Sequence, residues 1–384
     1  MALTLLAFAA LALVIWVYLT WCHGGFWRAD QRLGEEAVEP LENWPEIVAV
    51  IPARNEADVI GKTIESLLAQ DYPRPFPIVV VDDSSDDGTA AAACVFAGAG
   101  NRVDIVAGKT KPEAWAGKVW AMDQGVDRAE AVAPDARYIL FTDADILHEA
   151  SNLRRLVARA ESGKLDLVSV MVMLAVNGLW ERVLIPPFIF FFQMLYPFSH
   201  VNQGRRHAAA GGCMLVRRKA LTSAGGLQRI RRALIDDCAL ARLIGGQGGA
   251  LWLGLSTRTR SARPYGGLSG VWNMVVRSAF TQLDYSALRL AGTVLGMVLI
   301  YIVPPLALFG YAGSGDLLTA VTGGAAFVLM AGVFLPTLRL YGQPPIVASF
   351  LPVAALLYTG MTLDSAWRHW RGVGGGWKGR LYSK

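Results

Sequence analysis

Apolar positions follow two rhythms along this chain: long unbroken runs near both ends, and short runs alternating with helical patterns between them. The stretch 2–21 carries no charge. At about 1.5 Å per residue it is long enough to cross a hydrocarbon core of about 30 Å. No Lys or Arg precedes it and no small-x-small cleavage site follows, so an uncleaved anchor is expected over residues 1–22. Arg28 and Arg32 come next, which by the positive-inside rule keeps the following segment in the cytoplasm. A Glu- and Pro-containing linker over 23–45 leads into the middle of the chain.

Between 46 and 288 the pattern predicts an α/β domain with a mostly parallel, Rossmann-like sheet. Residues 47–51 read as a buried strand ended by Pro52, and Asn55 with Asp58 as a capping pair for a helix whose Ile60, Ile64, Leu67 and Leu68 share a face. Residues 78–81 form a second buried run, which completes a βαβ unit and sends ligands to the carboxyl edge of the sheet. Strands over 103–107, 138–142 and 165–172 and helices beginning at Gly117 and Asn152 continue the alternation. Residues 183–198 are apolar but too short to span, and Pro186-Pro187 predicts an early break, so an interfacial segment is expected there.

Beyond 289 the chain turns membrane-like. Spans are expected at 290–310, 317–335 and 346–363 within a region 289–365, the first kinked by Pro304-Pro305, before a basic tail over 366–384. Three spans would carry that tail outside, whereas its Arg368, Arg371, Lys378, Arg380 and Lys384 argue for inside.

Composition agrees with this layout: 53% of the 384 residues are apolar and only 17% charged, too few for an ordinary soluble protein. The net charge of +5 comes without a basic run interleaved with aromatics, which argues against nucleic acid as a partner. Cys22, Cys94, Cys213 and Cys238 are widely spaced and read as small buried hydrophobes in a reducing compartment.

Three acidic clusters stand at expected strand or helix ends: Asp82-Asp83, Asp143-Ala144-Asp145 and Asp236-Asp237. Such a set suits sugar transfer from a nucleoside diphosphate. Asp145, with Asp143 beside it toward the ribose, can hold a divalent cation against the leaving diphosphate. Asp82 and Asp83 can accept from the nucleobase, and Asp237 can take the acceptor's proton. One carboxylate base and direct displacement imply inversion. Lys118, in the first turn of its helix, is a candidate phosphate or sugar contact. Gly211 and Gly212 allow a bound molecule close to the backbone. A phosphatase using the first Asp of the Asp-x-Asp as nucleophile leaves Asp82-Asp83 unexplained; a scaffold that has lost its chemistry is the non-enzyme alternative.

Ile51-Pro52-Ala53-Arg54-Asn55-Glu56, Val81-Asp82-Asp83-Ser84-Ser85, Gly117-Lys118, Asp143-Ala144-Asp145 and Asp236-Asp237 together resemble family 2 inverting glycosyltransferases of the GT-A fold, over roughly residues 45–280. The layout is similar to ceramide glucosyltransferases and, more closely, to bacterial hopanoid-associated glycosyltransferases. The resemblance implies a hexosyltransferase of the bacterial inner membrane, multi-pass, with its catalytic domain cytoplasmic. It implies a nucleotide-sugar donor, usually a UDP-sugar, a Mg²⁺ or Mn²⁺ ion, and a lipid acceptor such as a hopanoid, with a ceramide or polyprenyl-phosphate type as the alternative. It places Pro52, Arg54, Glu56, Lys118 and Asp143 with the nucleotide, Asp145 and Asp143 with the metal, Asp237 as base, and Gly211, Gly212, Asp236 and Arg277 toward the acceptor. Ile235-Asp236 stands where the family's base motif has Thr-Glu, and the Gln-x-x-Arg-Trp motif of processive members is replaced by Trp272-Asn273-Met274-Val275-Val276-Arg277, which disfavours polymer synthesis.

Overall fold

Four strands, the buried β1 (Ile47–Ala53), β2 (Ile78–Asp82) and β4 (Tyr138–Thr142) and the half-buried edge strand β3 (Val103–Ala107), lie parallel and open the sheet in the order β3-β2-β1-β4. Their Val- and Ile-rich runs suit strands covered on both faces. The sheet continues through β7 (Cys213–Arg217), β6 (Leu167–Met173), β8 (Leu251–Ser261) and the two-residue β5 (Ile146–Leu147). Here β7 runs antiparallel to both β4 and β6, β6 and β8 are parallel, and β5 is antiparallel to β8. The computed structural model describes residues 2–34, 41–98, 100, 102–373, 376–378 and 380–381. Residues 35–40 of the expected linker and the tail cation Lys384 lie outside these.

The sheet belongs to one of two compact units, made of Gln31–Ala175, His200–Pro264 and the chain from Gly376. On one face Ile60, Ile64 and Leu67 of helix Ile60–Leu68 pack with Ile51, Val80 and Leu140. On the other, helix Gly117–Val132 comes so near that a Cβ on Gly125 would stand 2.3 Å from Val50 Cγ1, which accounts for a glycine mid-helix.

Two readings of the first loop change. β1 runs through Pro52, paired with Val81. The nitrogen of residue 52 faces the β4 side, where pairing has already ended at Val50, so no ladder bond is lost. Asn55 does not cap the helix, which starts at Ile60 with Val59 before it. Instead Asn55, at φ 53°, donates its N–H to Ser85 Oγ and accepts from the Asp86 N–H.

The other unit comprises the chain up to Asp30, Val176–Ser199 and Tyr265–Gly375. Four of its helical stretches are long and apolar enough to cross a membrane: Leu3–Trp21, Ala287–Gly313, Leu317–Leu340 and Pro345–Trp370. In the second, Val298–Ile302 forms a π turn just before Pro304, where a kink is expected. Pro304 has no N–H for the Ile300 carbonyl, and Trp16 Nε1 donates to that oxygen at 2.7 Å.

Pro186-Pro187 does not break the chain: one helix spans Leu179–Leu195 with both prolines buried inside it. Aromatic packing of Phe190 on Phe334 and of Phe191 on Tyr358 holds it, and Tyr358 Oη donates to the Leu184 carbonyl beside the prolines. Tertiary contacts therefore outweigh the lost N–H groups. Cys213 and Cys238 are buried as expected, but Cys22 and Cys94 are exposed, because each lies on the outer side of a helix end.

Candidate donor and transfer site

The carboxyl ends of β1, β2 and β4 bring three of the sequence motifs together. After β1, Arg54 reaches across to the next loop: its Nη1 donates to the carbonyls of Asp83 and, at 2.8 Å, Ser84. Asp82 closes β2 and accepts from Ser85, while Asp83 is fully buried with Arg54 Nη1 4.0 Å from its Oδ2. Asn55 and Ser84 both sit in left-handed backbone, and such strain, of order 1 kcal/mol each, is held where the surrounding bonds over-determine it.

The backbone of Asp143-Ala144-Asp145 is pinned on three sides. Thr63 Oγ1 donates to the Ala144 carbonyl at 2.7 Å, the Asp143 N–H to the Gly212 carbonyl at 3.3 Å, and the Ala262 N–H to the Asp145 carbonyl at 2.7 Å. Behind it lies buried His148. With the Asn152 amide nitrogen donating to Nδ1, Nε2 carries the proton and donates to Thr142 Oγ1, which donates to the Gly212 carbonyl. Burial pulls the His148 pKa down to about 3, so this chain stays neutral and fixed.

Lys118 joins the second half of the site to the first. Its Nζ is 2.8 Å from Asp143 Oδ1 and 3.0 Å from Asp236 Oδ2. Burial alone would lower its pKa, but Asp143 and Asp236 outweigh burial and hold it above the ordinary lysine value. Asp236 and Asp237 open helix Asp236–Gly245. A Cβ on Gly211 would lie 3.1 Å from Asp237 Oδ2, so only glycine leaves that carboxylate clear. Burial first, then Asp236, push the Asp237 carboxyl up to about 6, partly opposed by Lys118. Asp145 is likewise raised by burial and by Asp143. Arg277 is not part of this unit; it is exposed at the end of helix Leu268–Val276.

Four residues that sequence reasoning passed over also stand here. Besides His148, Ser261 Oγ and Arg263 Nε contact Asp145 Oδ2 at 3.0 and 3.2 Å, and Lys378 Nζ lies 3.0 Å from Glu56 Oε1. The alternation Thr257-Arg258-Thr259-Arg260-Ser261 was the available signal for β8, and with it for Ser261 and Arg263.

Residues 48–224 match the family model "Glycosyl transferase family 2". Over these residues the chain is similar to family 2 glycosyl transferases, and the unit that holds them has the GT-A fold. Among curated proteins, a putative teichuronic acid biosynthesis glycosyltransferase from Bacillus subtilis is 31% identical over 106 residues, 27% of this chain and 38% of the relative. A dodecaprenyl-phosphate galacturonate synthase from Rhizobium johnstonii is 28% identical over 142 residues, 35% of this chain and 40% of the relative. The chain thus spans about two fifths of the length of the curated relatives it matches. A solved mannosyltransferase from Pyrobaculum calidifontis, in complex with GDP-mannose and Mn²⁺, is 18% identical with a TM-score of 0.48, covering 92% of this chain and 99% of its own.

Asp143 and Asp145 are the acidic pair to weigh as holders of a divalent cation. Among the described residues no group of three His, Cys, Asp or Glu side chains comes together as a ligand set, while Asp143 and Asp145 lie near enough for the charge of one to raise the carboxyl of the other. A pair suits Mg²⁺ or Mn²⁺, which keep waters and take substrate phosphates as further ligands. The Asp145 carboxyl, pushed up by burial and its neighbour's charge, is the group such a cation would relieve.

Proposed function

We propose that the chain is a membrane-bound inverting glycosyltransferase that moves a sugar from a nucleotide sugar, a UDP-sugar first among the candidates, to a lipid acceptor. The observation that carries it is the Asp143–Lys118–Asp236 ion chain, which ties the donor-side carboxylates to the helix that begins with Asp236-Asp237. A donor half and a base half are thereby built as one object. Asp143 and Asp145 would hold the divalent cation, which supplies Lewis-acid stabilisation of the departing diphosphate when bound. Arg54 and the Asp82-Asp83 loop bind and orient the nucleoside.

Asp237 accepts the proton of the acceptor hydroxyl as its oxygen bonds the anomeric carbon. The bond from that carbon to the diphosphate oxygen breaks, and the electron pair leaves with the diphosphate. Attack from the face opposite the leaving group inverts the anomeric centre. Such a base contributes about 10² to 10⁴ in rate.

The lipid acceptor is supported by four helices apolar enough for a membrane and by a relative whose name specifies dodecaprenyl-phosphate galacturonate synthesis. A hopanoid is the finer reading from the resemblance of the anchor-and-spans layout, and a polyprenyl phosphate the one favoured by that relative. Membranes containing the full chain, incubated with a panel of radiolabelled nucleotide sugars and then extracted, decide among these. Label in a hopanoid fraction or in an acid-labile polyprenyl phosphate names the acceptor; label only in water-soluble product rejects a lipid acceptor. Asp145→Asn in the same assay is expected to lose transfer by at least about 10²-fold while still inserting in the membrane. Wild-type turnover would remove Asp145 from the site.

A further inference from the structure

We propose that Arg263 is a displaceable counter-ion of the donor site: it neutralises Asp145 while no metal is held, and turns to the donor diphosphate when a divalent cation takes that carboxylate. This rests on the donor reading above. Five contacts lead to it. Arg263 Nε lies 3.2 Å from Asp145 Oδ2, the oxygen that also accepts from Ser261 Oγ at 3.0 Å. The other end of the guanidinium, Nη2, pairs with Glu56 Oε2. Glu56 is held in turn by Lys378 through Oε1, and Lys378 Nζ also donates to the Asn55 carbonyl at 3.0 Å.

A divalent cation on the oxygen that Arg263 holds would stand about 4 Å from the guanidinium, and at that distance a double charge repels it more strongly than one carboxylate at about 3 Å attracts it. A metal at Asp145 Oδ2 therefore favours the departure of Arg263. Its side chain is 36% exposed against 17% for Asp145, so it can swing without unpacking the core. Arg263 follows directly on β8, whose last residue Ser261 fixes the Asp145 carboxylate, and so it stays within reach of the same ligand. A diphosphate brought in with the metal is a planar-fork partner for the released guanidinium, stronger than a solvated carboxylate. Glu56 keeps Lys378 after Arg263 leaves, so the loop following β1 retains a counter-ion throughout.

The exchange predicts effects of opposite sign from one substitution. In the detergent-solubilised full chain, Mn²⁺ alone, followed by the loss of its free paramagnetic signal, is expected to bind Arg263→Gln about fivefold more tightly than wild type. UDP or GDP added with saturating Mn²⁺, followed by calorimetry, is expected to bind the same variant about tenfold more weakly. Arg263→Lys, which keeps the charge but not the fork, should bind Mn²⁺ as the wild type does and fall between the two for the nucleotide; it also serves if the Gln variant folds poorly. Mn²⁺ affinity unchanged or reduced in Arg263→Gln overturns the counter-ion role, and nucleotide affinity unchanged there overturns the transfer to the diphosphate. A wild-type chain that binds Mn²⁺ but neither nucleotide rejects the donor reading itself, while the Mn²⁺ comparison still decides the counter-ion role.

Discussion

Asp237 carries opposing demands of stability and chemistry. Its carboxyl titrates at about 6 in the folded chain and near 4 when unfolded, so folding favours the protonated form. Between those values the folded state binds more protons than the unfolded one, and stability falls as pH rises through the window. The ionised base present at neutral pH thus costs on the order of 1–3 kcal/mol. Asp237→Asn should melt higher than wild type near pH 7.5, with the difference shrinking toward pH 4, while sugar transfer is lost. Equal melting curves at both pH values would mean that the carboxyl is not strained. For the wild type, kcat/KM should climb with pH through an apparent pKa near 6 as Asp237 ionises.

At the scale of elements, two contacts invite measurement. Gly125→Ala places a Cβ against Val50 Cγ1 and should destabilise the domain by about 1–3 kcal/mol, with Val50→Ala restoring much of the loss in a double-mutant cycle. Trp16→Phe leaves the Ile300 carbonyl without the donor that replaces the N–H missing at Pro304, and should cost about 1 kcal/mol in thermal unfolding. If Pro304→Ala does not diminish that cost, the indole hydrogen bond has another purpose. The parallel strands β1, β2 and β4 were legible because each is a run of buried apolar residues, and acidic motifs follow β2 and β4 where those runs end. β8 was harder to read: its first half is apolar but holds Gly254, and only its second half, where Thr alternates with Arg, carries a strand period. Arg263 and Ser261 were lost with it. The prolines of helix Leu179–Leu195 misled in the opposite direction, since the aromatic packing that sustains the helix comes from residues more than a hundred positions away.

At the scale of the molecule, the contact of Lys378 with Asn55 and Glu56 bears on how the chain threads a bilayer. Asn55 and Lys378 belong to the same unit, so in the membrane reading both lie in one compartment. A path that departs from one compartment and returns to it has traversed the barrier an even number of times. In that reading, no more than two of the three apolar stretches between Pro264 and Gly376 are full traverses. The excursion Val176–Ser199, which also leaves the unit and rejoins it, obeys the same arithmetic with zero traverses. With Cys22 and Cys94 replaced, cysteines introduced as Glu113→Cys and Lys384→Cys should react with an impermeant maleimide from the same face of sealed vesicles. Labelling from opposite faces would mean that an odd number of the stretches cross. On that reading, the contact made by Lys378 ties the parity of the stretches after Pro264 to the position of the loop that follows β1.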